Sequence, residues 1–176
     1  MPIKLDPRIS EITSTVNGEI TERAIRHAVY LERVKNGISR QVLGFLNRDV
    51  IPDLLSQLDR LNNVATSGLG ASVTKNQRLR YLTRATHDIL ASGMRGARDI
   101  LKTELVDLAR YETDFQRVMM SEAMPVYVDF VTPNLRTLQT LVTSAPIQGK
   151  TLSTWLTTLG QTTQGELIRQ LNIGLA

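Results

Sequence analysis

The sequence lacks cysteine, is poor in aromatic residues and has no long apolar run, and each absence excludes a class of protein. Without cysteine there is no disulfide, no catalytic thiolate and no metal centre built on cysteine, and the redox compartment is left open. Aromatic residues are only 5% of the 176 residues, so packed helices rich in aliphatic residues are expected rather than a β-sandwich. No segment approaches the roughly 18 apolar residues of a membrane span, and the amino terminus has no signal-peptide core, so we expect a soluble protein.

Catalytic and metal-binding motifs are lacking as well. The sequence has neither a Gly-x-Ser-x-Gly elbow nor a Walker phosphate-binding loop. Its two histidines, His27 and His87, fall on separate predicted helices without a Glu-x-x-His pattern, so we expect ordinary surface or hairpin-packing residues rather than metal ligands. We therefore predict a protein that is not an enzyme, with no catalytic residue, no metal, no cofactor and no small-molecule substrate.

The main feature present is a helical pattern over residues 74–124 that contains no proline. Thr74 and Gln77 form a capping box at its start, and Pro125 ends it. Such a helix would be about 75 Å long, which indicates architecture rather than pocket chemistry. Gly93 and Gly96 interrupt the pattern and predict a kink or a close helix contact. The stripe recurs mostly at intervals of three and four residues, at Leu79, Leu82, Ala85, Ile89, Gly93, Ala97, Leu101, Leu105, Leu108, Phe115, Val118 and Glu122.

A second apolar pattern over residues 20–46 precedes the first and keeps its phase through Gly37, so we predict a continuous or kinked helix there. Pro52 is compatible with the first turn of a further helical stretch. Residues 62–73 are small and polar, contain two glycines and predict a loop. Residues 18–124 are therefore predicted to form a long antiparallel helical hairpin.

The two ends of the chain lack the long helical pattern of residues 18–124. Residues 1–17 carry two prolines and predict an extended arm. Residues 125–176 predict an extended link and a small subdomain of short helices: one from Thr132-Pro133, one that stops at Gly160, and one capped by Thr163. A turn is expected at 145–149. The predicted fold class is all-α, and the last helix stops mid-pattern, as expected of a longer protein that was truncated or processed.

Arginine supplies sixteen of the twenty-one cations in a chain of formal net charge +4. Arginine favours forked contacts with carboxylate or phosphate groups, so nucleic-acid phosphates are a candidate partner. Acidic residues are interspersed, so the alternative is a solvated face of mixed charge. The candidate contacts lie on the second long helix: Arg78, Arg80, Arg84, Arg95 and Arg98.

Two aromatic sites are candidates for partner contacts. Tyr111, Glu112 and Phe115 interrupt the apolar stripe; Glu112 is predicted to anchor an arginine across the hairpin while the two rings pack. The alternative for this trio is a contact with a partner. Trp155, the sole tryptophan, is assigned to the core of the carboxy-terminal subdomain, with an interface hot spot as its alternative.

The order of several segments resembles a known family. Five segments carry the likeness: AIRHAVYLERVKNGISRQVLGFL, ARYETDF, EAMPV, APIQGKTLSTWLTTL and ELIRQLNIGLA. Together they resemble the minor head proteins of tailed bacteriophages, the family of the phage Mu protein F-like head morphogenesis proteins. The resemblance implies a structural virion protein inside the capsid or at the portal vertex, present in the host cytoplasm during assembly. Longer members continue past the position of Ala176 into regions that carry extra domains in some relatives.

The resemblance also implies partners. These are the portal protein and neighbouring copies of the chain, with non-specific contact to packaged DNA, in head assembly and in genome packaging or delivery. Under this hypothesis the segment around Tyr111 and Phe115 is a portal contact. Two alternatives stay open: an internal ejection protein that leaves with the DNA and meets a membrane, and a non-phage helical scaffold or coiled-coil adaptor.

Overall fold

The computed structural model describes residues 7–66, 75–123 and 131–174, and within those ranges the chain is helical and contains no β-strand. This confirms the predicted all-α class. The elements are α1 (Pro7–Phe45), a single π-helical turn (Leu46–Val50), α2 (Ile51–Thr66), α3 (Lys75–Ala123), α4 (Leu135–Ser144) and α5 (Leu152–Gly174).

The amino-terminal helix begins at Pro7, inside the segment predicted to be an extended arm. That prediction is wrong for residues 7–17, while residues 1–6 lie outside the described residues. Proline has a fixed φ close to the helical value and lacks an N–H that would be unsatisfied in the first turn anyway, so it is well suited to begin a helix. The predicted continuity through Gly37 is confirmed, because α1 runs unbroken to Phe45.

The π-helical turn joins α1 to α2 just before a proline. The N–H of Ile51 donates to the carbonyl oxygen of Leu46, five residues back instead of four. Pro52 follows directly; its nitrogen cannot donate, and in an α-helix its ring would clash with the carbonyl of Arg48. The π-helical turn is wider than an α-helical one and lies where that clash would occur. The chain therefore stays helical past Pro52.

The long helix α3 contains 49 residues and lies within one residue of the predicted range at each end. The predicted loop begins too early, because α2 continues to Thr66 and residues 62–66 are helical. The remainder of that loop, the predicted cap at Thr74 and the stop at Pro125 lie outside the described residues.

Helices α1 and α2 run antiparallel to α3, which confirms the predicted hairpin. The contact pairs follow one another in opposite chain directions: as residue numbers rise along α1 and α2, those of their partners on α3 fall. One register therefore relates α1 and α2 to α3. The pairs that define it are Arg23 with Glu122, His27 with Phe115, Phe45 with Gly96, Val50 with Gly93, and Gln57 with Tyr81.

Helix α3 lies at the centre of the molecule, because α1, α2, α4 and α5 all pack against it. Leu82 and Ala97 belong to the predicted stripe and are buried. Leu90 and Val106 are also buried but fall outside that stripe. Leu90 borders α5 and Val106 borders α4, so α3 has a second apolar face that the single predicted seam does not include.

The last helix, α5, is one continuous element of 23 residues. The predicted stop at Gly160 and the predicted new start at Thr163 are therefore wrong. A Cβ atom on Gly160 would lie 3.1 Å from Cγ of Met94 on α3. The glycine lets two helices approach closely at this position instead of ending one of them.

The turn predicted at residues 145–149 is confirmed and joins α4 to α5. Gln148 and Gly149 both have positive φ, 50° and 80°, and the N–H of Ile147 donates to the carbonyl of Lys150 at 2.8 Å. Two consecutive residues with positive φ are the signature of a type I′ turn. The cap of α4 is Asn134, whose side chain accepts from the N–H of Thr137, and not the predicted Thr132.

Candidate interaction surfaces

An aromatic cluster near the open end of the hairpin contains the predicted trio on α3. The ring of His27 on α1 stacks on Phe115, with centroids 3.7 Å apart and planes 5° apart. Tyr111 packs against Tyr30 of α1 at 4.0 Å, so the predicted packing of the two α3 rings is confirmed. Nε2 of His27 lies 3.0 Å from Oε1 of Glu112. The partner of Glu112 is thus a histidine, and the predicted arginine is wrong.

This cluster is a packing feature of the hairpin. The His27 side chain is 14% exposed, whereas His87 is 59% exposed and contacts the neighbouring Asp88. The two histidines therefore divide into one hairpin-packing residue and one surface residue, the two environments that the sequence predicts. Among the described residues no group of three or more side chains is arranged to hold a metal ion. Contact of Tyr111, Glu112 or Phe115 with a partner stays a prediction.

A groove between α3 and α5 collects most of the predicted arginines. Positions 80, 84, 87, 91, 95 and 98 follow helical spacing and form one face of α3. Two adjoining depressions, which share His87 and Gln164, run between this face and α5, and the one beside Arg95 and Arg98 has a volume of about 250 Å³. We call this feature the α3–α5 groove; its floor is apolar, with Leu90, Met94 and Leu156.

Among the described residues, every charged side chain that lines the α3–α5 groove is a cation. They are Arg80, Arg84, Arg95 and Arg98, with His87 as the titratable member. The acidic neighbours lie to either side: Asp88 borders a depression beside α2, and Asp99 borders one beside α4 and pairs with Arg98. Helix packing therefore places the cations in the α3–α5 groove and the neighbouring carboxylates beside it.

Arg78 does not belong to this groove. It is two residues from Arg80, which places it about 200° around the helix, away from the groove face. The predicted group of five arginines is therefore corrected to four. The four remaining arginines lie on one face, although two precede and one follows the glycine pair, because α3 continues unbroken through Gly93 and Gly96.

Trp155 lies at the surface over the turn that precedes α5. Its side chain is 38% exposed, its Nε1–H donates to the carbonyl of Ile147 at 2.7 Å, and Nζ of Lys150 is 5.2 Å from the ring centroid. The prediction of a core position is wrong. Leu156 and Gly160 are the residues that face α3, and Trp155 lies about 100° around α5 from Leu156.

The outer side of the hairpin has an exposed apolar stripe on α2 that was not predicted from the sequence. Ile51, Leu55 and Leu58 recur at helical spacing on α2 and are between 39% and 55% exposed. We call these three residues the α2 stripe. A signal for it was present in the adjacent leucines at 54 and 55, because neighbouring positions on a helix cannot both face α3. Ile25, Val29 and Leu43 of α1 are exposed as well.

Comparisons with protein-family models, with curated proteins and with solved structures found no match to this chain. The resemblance to phage minor head proteins therefore rests on the sequence segments alone and stays a prediction. Within the described residues, no helix has the length and apolar content required to span a membrane.

Proposed function

We propose that this protein is a structural, portal-associated minor head protein of a tailed phage that acts through protein–protein contacts. The observation that carries the proposal is the α2 stripe: three large apolar side chains at helical spacing on the outer side of the hairpin. Exposed apolar side chains aligned on one face of a helix are typical of a surface that a protein partner covers.

The charges beside the α2 stripe favour a protein partner over a nucleic acid. Arg48 and Asp49 form an ion pair at 2.9 Å just before it, and Asp53 and Asp59 flank it along α2. The hydrogen bonds from Arg48 hold the pKa of Asp49 below its ordinary value. A stripe bordered by both signs matches the apolar centre and polar rim of a protein interface.

The family resemblance supplies the identity of the partner. In that family the expected partner is the portal ring, and a long rigid hairpin suits a part that bridges the ring and the capsid interior. The experiment is co-sedimentation of the full chain with isolated portal oligomers of the phage that encodes it. We expect the parent protein to sediment with the portal, and Leu55→Glu to remain in the supernatant because the charge would be buried in the interface.

The matched control is Leu159→Glu on α5, which places the same charge on an exposed leucine away from the α2 stripe. This variant should bind the portal like the parent, and both variants should keep the parent's helical circular-dichroism spectrum. Failure of the parent to bind any portal assembly state, or binding of Leu55→Glu at parental affinity, would contradict the proposal.

Two further measurements separate this function from the alternatives. A portal-associated structural protein should stay in particles emptied of DNA, whereas an ejected protein should leave with the genome. A non-phage scaffold or coiled-coil adaptor should self-associate through its helices with no virion component present, which sedimentation of the isolated chain would detect.

A further inference from the structure

We propose that the α3–α5 groove binds the phosphate backbone of double-stranded DNA without reading its sequence. The inference does not depend on the α2 stripe, which lies on a different helix. It rests on the sign of the charges in the groove, on the absence of an ion-pair partner for three of its four arginines among the described residues, and on the uncharged polar wall opposite them.

The first observation is that three of the four arginines of the groove have no ion-pair partner within the described part of the chain, while Arg98 pairs with Asp99 at 3.1 Å. Arg80, Arg84 and Arg95 take part in no ion pair within the described part of the chain, in contrast to Arg23, which pairs with Glu122 at 2.7 Å. Arg80 and Arg84 are four residues apart, and like charges at that spacing on a helix repel one another, so this pair does not stabilise the fold. An anion placed in the groove would relieve that repulsion.

The second observation is the wall that faces the arginines. Residues 152–165 of α5 contain no charged side chain at all. Their polar contribution to the groove is the hydroxyl of Ser153 and the amides of Gln161 and Gln164; the hydroxyl of Thr157 also lines it but already donates to the carbonyl of Ser153 at 2.9 Å. Such groups are common donors to phosphate oxygens, and an absence of carboxylates leaves no repulsion toward a polyanion.

The third observation is the length of the row. Arg80 and Arg98 are separated by about 27 Å along α3, which corresponds to roughly eight base pairs of duplex at one phosphate per 3.4 Å of each strand. Among the described residues no Phe, Tyr or Trp side chain lines the groove, so a single strand would lack the aromatic platforms on which its bases stack.

An acidic amphipathic helix is the other class of polyanion, and the structure favours it less. Such a helix needs exposed apolar side chains beside the cations. The apolar floor of the groove, Leu90, Met94 and Leu156, is buried or half-buried between α3 and α5. The exposed apolar residues of α5, Trp155 and Leu159, lie on the side of that helix away from the groove.

The test is fluorescence anisotropy of a labelled duplex of arbitrary sequence, with the full chain titrated at several salt concentrations. Four phosphate contacts predict a slope of about −3.6 for log affinity against log salt, or about a 150-fold loss between 50 and 200 mM. The variant Arg80→Gln/Arg84→Gln/Arg95→Gln retains one contact and should lose only about three- to fourfold over that range.

The matched control is Arg33→Gln/Arg40→Gln/Arg60→Gln, which removes the same charge from exposed positions on α1 and α2. It should keep the parental slope, and both triple variants should unfold at the parental temperature. Equal slopes in the two triple variants, no binding at 50 mM salt, or tighter binding of a single strand or a polyglutamate peptide than of the duplex would each overturn the proposal. The Leu55→Glu variant should bind DNA like the parent, so loss of portal binding and loss of DNA binding are distinguishable.

Discussion

Gly93 of α3 lies directly against Val50, the last residue of the π-helical turn. A Cβ atom on Gly93 would stand 2.7 Å from Cγ2 of Val50 and 3.2 Å from its Cγ1. Val50 is buried, and its branched side chain has little rotational freedom, so it cannot move aside easily. One turn further along α3, a methyl group on Gly96 would overlap the ring of Phe45. The sequence predicted a kink or a close helix contact at this glycine pair, and the close contact is confirmed.

The first prediction concerns this contact. Gly93→Ala should lower the free energy of unfolding by about 1 to 3 kcal/mol, because the added methyl overpacks the hairpin against Val50. Gly37→Ala is the control, since nothing lies within 4 Å of a Cβ there; it should raise stability by about 0.5 to 1 kcal/mol. Thermal unfolding followed by circular dichroism measures both. Adding Val50→Ala to Gly93→Ala should return part of the loss, and equal melting of the two glycine variants would refute the contact.

The second prediction uses the two histidines. His27→Ala removes a ring stacked on Phe115 and should destabilise the chain by about 1 to 3 kcal/mol. His87→Ala truncates an exposed side chain and should change stability by no more than about 0.5 kcal/mol. Urea unfolding compares them.

A third variant separates the stack of His27 on Phe115 from its contact with Glu112. His27→Phe retains a ring against Phe115 but leaves Glu112 without its partner. A stability near that of the parent would show that the stack dominates, and a loss as large as that of His27→Ala would show that the contact with Glu112 does. If His27→Ala itself melts like the parent, the position assigned to His27 is wrong.

The third prediction concerns the type I′ turn before α5. Gln148 has positive φ although it is not glycine, and asparagine tolerates that conformation better, so Gln148→Asn should raise stability by a few tenths of a kcal/mol. Gly149→Ala forces a methyl into φ 80° and should cost about 1 to 2 kcal/mol. Trp155 donates to Ile147 at this turn, so its fluorescence during unfolding reports the change. Opposite signs for the two substitutions are the expected result.

The fourth prediction concerns the pKa of Glu166 on α5 and the loss of stability at low pH. Hydrogen bonds from Arg169 and then Gln170 hold the pKa of Glu166 below its ordinary value. Because the folded pKa is the lower one, this carboxylate stabilises the helix above the unfolded pKa, and the contribution is lost as the pH falls through the folded pKa. Arg169→Gln should move the pKa of Glu166 back toward its ordinary value, which an NMR titration of the side-chain carboxyl would show. An unchanged midpoint would contradict the hydrogen bonds.

Local patterns predicted the long elements well, because helical period depends only on residues three and four apart. The ends of α3 lie within one residue of the predicted ones, and α1 passes Gly37 as predicted. Proline was harder to interpret. The same residue type begins a helix at Pro7 and is accommodated behind a π-helical turn at Pro52, and the sequence reasoning expected a helix start only at the second.

The candidate sites depended more heavily on packing. Glu112 meets His27 rather than an arginine because the register of the hairpin, set by contacts many residues apart, decides which side chain lies opposite. Trp155 is a surface residue because α5 turns its Leu156 face toward α3. Neither outcome is encoded in residues that are close together in the sequence.

The sequence by itself determined the all-α class, the length of α3 and the antiparallel hairpin, because periodicity and a polar break act locally. Only the tertiary structure decided the role of Gly93 and Gly160, because a glycine in a helical sequence can either end the helix or allow a neighbouring side chain to approach closely. Both glycines allow close approach, Gly93 to Val50 and Gly160 to Met94. It also decided which arginines act together. Packing of α5 beside α3 gathers four of them into one groove and leaves Arg78 on another side, since a groove exists only where two helices meet.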